Sequence, residues 1–261
     1  AADLDEADGP THLAVILDAS GVSFRNDIYE HYKANRPEPP EDLVPQFPLI
    51  RDATRAFSLP CIEVPGLEAD DLIATYARRA QEMGWDVTIV SSDKDLMQLV
   101  GEVDGARIDM LDTMKNQRIW LEEVEEKFGV PPELVGDVLA LMGDAVDNVP
   151  GIYGIGPKTA SKLIAEHGSL TAALDAAHEM KPSKLKERLI EQREMAELSR
   201  VLVTLEAGSR VGQVRAVVNK SDIFVNNKLR VADRAPEAST IWMMLQRSIA
   251  SAVTQCRNKD I

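Results

Sequence analysis

Cysteine is nearly absent: Cys61 and Cys256 are the only two in 261 residues, far apart and without a partner pattern. No disulfide framework follows, and a reducing cytoplasm is the expected setting. The four histidines form no ligand-spaced pair, which argues against a zinc centre. No apolar run reaches the length of a bilayer, so no membrane contact is expected. Positive charge is outnumbered, with 29 Lys and Arg against 43 Asp and Glu. A formal net charge of −14 argues against indiscriminate binding of a polyanion, because nucleic-acid affinity normally rests on Lys and Arg. The excess carboxylates then matter by position, since a cluster that holds divalent cations is acidic when empty and meets phosphate through the metal.

The chain opens with an acidic stretch, Ala1 to Pro10, that has neither strand nor helix period and reads as a terminus or linker. Leu13-Ala-Val-Ile-Leu17 is a short apolar run suited to a strand buried on both faces, ending at Asp18. A polar segment follows and closes in the proline-rich Pro37-Glu-Pro-Pro-Glu41. The spacing predicts a helix over Phe47–Phe57, a strand over Cys61–Val64, a helix over Glu68–Gly84, a buried strand over Asp86–Val90, and a helix from Asp93 through Val100. Strands alternating with helices at this pitch predict an α/β fold with a parallel sheet covered on both faces.

From Leu121 to Gly208 the pattern is helical, with helices expected over Pro132–Gly143, Pro157–His167 and Lys184–Val203. Val211–Val225 is loosely β-like. Glu237–Gln255 places Ile241, Met244, Leu245, Ile249 and Val253 on one face of an expected helix. Three regions result: an α/β core over 1–120 with an arch near 23–45, a helical subdomain over 121–208, and a tail over 209–261.

In an open parallel sheet, ligands sit beyond the carboxyl ends of the strands, so acids placed there are the ones to weigh. Asp18 ends one strand; Glu68, Asp70 and Asp71 follow another at a helix start; Asp93 and Asp95 follow a third; Asp144 and Asp147 close the helix ending at Gly143. Each has an ordinary explanation alone, as a helix cap, a turn former or a partner of the helix dipole. Jointly they would repel one another without cations. Oxygen ligands suit Mg²⁺ or Mn²⁺, and two such ions clamp the attacking and leaving oxygens of a phosphodiester.

Gly151-Ile-Tyr-Gly154-Ile-Gly156-Pro157-Lys158-Thr159 lies between two helices. Glycine admits a phosphate to the backbone, Pro157 suits a first helical position, and a helix start with Lys158 beside it attracts anions. Such a hairpin positions DNA without reading bases; the ordinary alternative is a helix–helix turn. Arg25, Tyr32, Lys33 and Arg36 either thread or stack single-stranded DNA or form a solvated face.

Leu17-Asp18 with Phe24-Arg25, Tyr32-Lys-Ala-Asn-Arg36, Glu68-Ala-Asp-Asp71, Asp93-Lys-Asp-Leu96, Leu141-Met-Gly-Asp144-Ala-Val-Asp147-Asn148-Val-Pro-Gly151 and Gly154-Ile-Gly156-Pro-Lys158-Thr-Ala160 resemble, in this order, the 5′-nuclease domain of bacterial DNA polymerase I, a relative of flap endonucleases. The resemblance runs from about Asp8 to Leu205. It implies a PIN-like sheet flanked by helices, an arch near Tyr32–Arg36, and a helix-three-turn-helix at Gly151–Lys158 that holds duplex DNA, often with K⁺. It implies metal ligation by Asp18, Glu68, Asp70, Asp71, Asp93, Asp95, Asp144 and Asp147, action of Lys33 and Arg36 on the scissile phosphate and flap, and DNA contact at Arg25, Tyr32 and the hairpin residues Gly151, Gly154, Gly156, Lys158 and Thr159. The implied activity is metal-dependent cleavage of 5′ flaps and nicks, with association with a polymerase left open. Relatives begin with a further strand carrying a metal-binding aspartate, which Ala1–Gly9 does not match. A sheet short of one central strand and one ligand is therefore expected, with a DNA-binding remnant as the alternative to an active nuclease.

Overall fold

The apolar runs become parallel strands because each sits between neighbours that use both of its backbone edges. The structure, a computed structural model, describes Pro10, residues 12–208 and, as backbone, residues 218–219 and 240–245. Strand β1 is His12–Ile16, and the short helix α1 (Phe24–Ile28) and helix α2 (Gln46–Ala56) follow it. The segment between those helices is hydrogen-bonded turns, so the expected arch is not helical at Tyr32–Arg36. Strand β2 (Cys61–Ile62) leads into α3 (Ala69–Glu82), capped at its start by Glu68 and Asp71. With no internal glycine or proline, α3 buries Ala69, Ile73, Ala77 and Ala80 at helical spacing against the sheet.

Strand β3 is Asp86–Val90, and a 3₁₀ helix over Lys94–Leu99 leads to strands β4 (Gly101–Val103), β5 (Ala106–Asp112) and β6 (Gln117–Ile119). The helical half comprises α4 (Leu121–Phe128), α5 (Val135–Met142), α6 (Pro157–His167), α7 (Leu170–Ala176), α8 (Lys184–Glu191) and α9 (Arg193–Val203). The one helix expected over Lys184–Val203 is broken at Gln192. Helix α5 is apolar nearly all round and packs on α6, α7 and α9. Its one buried acid, Asp137, accepts from Leu170 N at 2.9 Å and from Arg200. A single apolar core runs through both halves.

Two strands come from the tail: β7 (Val218–Asn219), antiparallel to β1, and β8 (Thr240–Leu245), parallel to both β1 and β3. The strand order is β2-β1-β8-β3-β5-β4, with β6 beside β5 and β7 beside β1. Two expectations are corrected here. Residues 240–245 are a central strand and not part of a helix, and the expected gap at the middle of the sheet is filled. The physical reason is the slot: without β8, the facing edges of β1 and β3 would leave a double row of buried N–H and C=O groups unpaired. The strand Thr240–Leu245, apolar at five of its six positions, satisfies both rows and overrides a helical period read from spacing alone. The remainder of the expected helix, 237–239 and 246–255, lies outside the described residues, as does most of Val211–Val225.

Candidate active site and nucleic-acid interface

The carboxyl ends of β1 and β3, the start of α3 and the loop after α5 meet at one rim. On one side Asp93, Asp95, Asp144 and Asp147 line an open cleft of about 270 Å³ together with Ser92, Lys94, Lys127 and Val146. On the other, Asp18 Oδ1 accepts from Ala69 N at 2.8 Å, which places it against the first turn of α3 beside Glu68 and Asp70. Lys33 joins the two sides, with Nζ 2.6 Å from Glu68 Oε2 and 3.8 Å from Asp147 Oδ2. Its backbone is left-handed, φ 58°, held by donation of Lys33 N to Asp147 O at 2.9 Å. Such a conformation costs roughly 1–3 kcal/mol and persists where surrounding contacts impose it. Asn148 Nδ2 to His31 O, Asn35 Nδ2 to Ala145 O and Arg36 to Asp147 pin the same segment to the loop after α5.

Basic side chains stand in for cations throughout the rim. Lys94 pairs with Asp144 and lies 3.9 Å from Asp95. Burial would raise Glu68, but Lys33, Arg25 and the Ser23 hydroxyl outweigh it and hold its pKa below the ordinary value. Burial likewise opposes ionisation of Asp144, and the Lys94 ammonium and the Val146 N–H lower its pKa nonetheless. Asp95 differs. Burial first, and then the neighbouring Asp93, push its pKa up to about 7, with Lys94 offsetting only part of this. Its Oδ1 is buried and accepts no hydrogen bond. Among the described residues, no three carboxylate, histidine or cysteine groups close on a single cation position. The rim is thus two carboxylate lobes bridged by lysine.

Directly after the loop that carries Asp144 and Asp147 comes the hairpin into α6. Gly143 and Gly151 pack back to back: a Cβ built on Gly151 would lie 2.3 Å from Gly143 N, and the Gly151 φ is +60°. Gly156 is different, with an ordinary φ of −94° and open space where a side chain would project. Neither conformation nor internal packing demands glycine there, so the bare backbone at the α6 start is available to an outside group. Lys158 is exposed next to it, while Thr159 is half-buried and its N–H turns back to Gly156 O.

Residues 2–129 match the family model "5′-3′ exonuclease, N-terminal resolvase-like domain", and residues 130–219 match "5′-3′ exonuclease, C-terminal SAM fold". The chain belongs to the 5′-3′ exonuclease family. DNA polymerase I of Rhizobium leguminosarum is 59% identical over 196 residues, 75% of this chain and 19% of that protein. The 5′-3′ exonuclease of Aquifex aeolicus is 43% identical over 161 residues, 62% of this chain and 54% of that one. The chain therefore spans about a fifth of the Rhizobium polymerase and about half of the Aquifex exonuclease. T5 5′-exonuclease with bound zinc superposes with a TM-score of 0.65 at 25% identity, covering 74% of each chain. The C-terminal family model extends to residue 219, beyond Leu205, where the resemblance was expected to stop.

Burial sets four of the expected site residues apart from the open rim. Arg25 is 2% exposed and faces the interior. It donates to both carboxylate oxygens of Asp71 at 2.7 and 2.8 Å and to the carbonyls of Leu202 and Thr204, each at 2.8 Å. Asp71, fully buried, also accepts from Glu206 N at 2.9 Å, so its lone pairs are committed to holding the end of α9 and not to a metal. Tyr32 is buried and offers no stacking face; its hydroxyl reaches Glu68 Oε2 at 3.3 Å. Gly151 is buried and donates to Ser199 Oγ at 2.9 Å, a packing role. Lys94 and Lys127 at the cleft were not singled out from sequence. Lys94 had a signal, since it lies between Asp93 and Asp95. Lys127 had none, because only the tertiary fold brings α4 to the rim.

Proposed function

We propose that this chain hydrolyses DNA phosphodiesters at 5′ flaps and nicks with divalent cations held at the carboxylate rim, leaving 5′-phosphate ends. The carrying observation is the convergence of Asp18, Glu68, Asp70, Asp93, Asp95, Asp144 and Asp147 from four separated segments, with a buried Asp95 oxygen among them that accepts no hydrogen bond. The donor set is all oxygen, which fits Mg²⁺ or Mn²⁺. Asp93, Asp95, Asp144 and Asp147 would hold the cation on one side, with Asp18, Glu68 and Asp70 on the other. A bound divalent cation supplies an acidified water and neutralises charge at phosphorus.

The protein's own groups do the rest. Lys33 and Arg36, paired here with Glu68 and Asp147, would be free to meet the scissile phosphate wherever those carboxylates served as cation ligands. The open backbone at Gly156 and the charge of Lys158 hold the duplex in register with the rim, because only residues 148–155 separate them from Asp147. The zinc-bound T5 5′-exonuclease lends support through its shared fold.

One observation favours a second reading, a DNA-binding remnant: the central strand, Thr-Ile-Trp-Met-Met-Leu, carries no carboxylate. Cleavage of a labelled 5′-flap duplex with Mg²⁺ or Mn²⁺, beside an Asp93→Ala control and binding in Ca²⁺, decides between them. Metal-dependent cutting lost in the control supports the nuclease. Binding without cutting supports the remnant.

A further inference from the structure

We infer that Tyr153 and Arg188 form a second contact of the hairpin with the sugar–phosphate backbone of a DNA duplex, a grip beside the α6 start. The inference rests on the duplex-binding half of the proposed function and adds to it Tyr153, at the turn of the hairpin, and Arg188, outside the hairpin on α8.

Tyr153 is 78% exposed, although it stands in the middle of a hairpin whose neighbours Ile152 and Ile155 are buried. A lone exposed aromatic needs no explanation in itself. What sets this one apart is how firmly it is held. Tyr153 N donates to Gln192 Oε1 at 2.8 Å, tying its backbone to the junction of α8 and α9. The Arg188 guanidinium lies 5.3 Å from its ring centroid and donates to Gly154 O at 3.4 Å. At Gly154 the φ is +77°, and a Cβ built there would lie 2.1 Å from Arg188 Nη1. The glycine thus makes room for the guanidinium to lie against the hairpin backbone, where it flanks the tyrosine.

The result is an exposed aromatic on a tied backbone with a cation next to it, adjoining the positive end of an 11-residue helix and the exposed Lys158. A duplex backbone offers this pattern in reverse, apolar deoxyribose next to anionic phosphate. Rigid aromatics lose little conformational freedom on binding, and planar guanidinium groups suit phosphate. Arg188 is also the more available phosphate ligand, because among the described residues its hydrogen-bond partner is a single carbonyl and no carboxylate must be left behind.

The test is binding of a 5′-flap duplex by the full chain in Ca²⁺, across a series of salt concentrations, with thermal midpoints of each variant. Tyr153→Ala is expected to raise Kd about tenfold with an unchanged salt slope, since the ring carries no charge, and Tyr153→Phe to stay close to the parent. Arg188→Gln is expected to raise Kd and to make the log–log salt slope shallower by about 1, the signature of one lost phosphate contact, while Arg188→Lys retains the slope. Parent-like Kd and slope in both Tyr153→Ala and Arg188→Gln, with the parent still binding duplex, would overturn this inference and leave the proposed function standing. A lowered thermal midpoint in Arg188→Gln with the salt slope retained would also overturn it, by showing that the arginine only pins the hairpin. Failure of the parent chain to bind duplex at all would overturn both.

Discussion

Removing the Arg25 guanidinium should damage the fold and not the DNA contact. In Arg25→Met, the Asp71 carboxylate stays fully buried and loses both of its charged donors, keeping the Glu206 N–H at 2.9 Å and a weak one from Glu68 N at 3.3 Å. The carbonyls of Leu202 and Thr204 lose their donor as well. Breaking a buried pair from one side costs about 3–5 kcal/mol, and the orphaned buried carbonyl of Leu202 about 1–3 kcal/mol, while that of exposed Thr204 turns to water. Relaxation and water entry reduce the sum, so a net loss of about 5 kcal/mol is expected from a total that is commonly about 5–15 kcal/mol. For a chain of this size that corresponds to a fall of roughly 10–20 °C in Tm. Urea unfolding followed by circular dichroism measures the loss. The double variant Arg25→Met with Asp71→Leu removes the stranded charge, and it should recover several kcal/mol of that loss. An Arg25→Met protein with parental stability but weakened flap binding would refute the reasoning and return Arg25 to the DNA surface.

Further outcomes follow from the rim, the hairpin and the sheet. The Asp95 pKa of about 7 lies above its ordinary 3.8, so the metal-free folded state binds this proton more tightly than the unfolded chain. The stability it contributes is complete below about pH 4 and is lost as pH rises, by roughly 2–3 kcal/mol between pH 5 and pH 7. Glu68 and Asp144 are shifted down and act the opposite way, only at more acid pH. Urea midpoints of metal-free parent and Asp95→Asn should therefore diverge between pH 5 and 8, with the variant the more stable at pH 8; parallel curves would count against a buried, uncompensated Asp95. Gly156→Ala should melt with the parent, because its Cβ meets nothing, yet bind duplex about tenfold more weakly; unchanged binding would mean that no outside group approaches there. Met243→Pro removes a backbone donor from a strand flanked on both sides, and it should cost about 3 kcal/mol or more and broaden the melt of the α/β half. A parental melt would show that β8 does not occupy the slot between β1 and β3.

Much of the architecture was legible because its signals are local. Apolar runs ending in acids, Leu13–Asp18 and Asp86–Asp95, placed two strands and the rim, since a parallel sheet presents its carboxyl ends on one side. The hairpin was legible from Gly151 to Lys158, and the order of motifs carried the family. Short strands such as β4 and β6, three residues each, were not legible, because pairing with β5 and not their own composition holds them extended.

Within single motifs, sequence determined which residues come to the site but not which way each one faces. Glu68, Asp70 and Asp71 stand within one helical turn, and rotation about the helix axis sends Asp71 inward to Arg25 while Glu68 meets Lys33 at the rim. Arg25 and Tyr32 looked like a basic, aromatic surface until the ends of α9 and α3 covered them. Strand β8 is the extreme case: a segment with helical spacing becomes a central strand because unpaired backbone on β1 and β3 selects it. Composition and local spacing determined the chemistry available to this protein, while burial, pairing partners and long-range charge compensation decided which of those groups perform it.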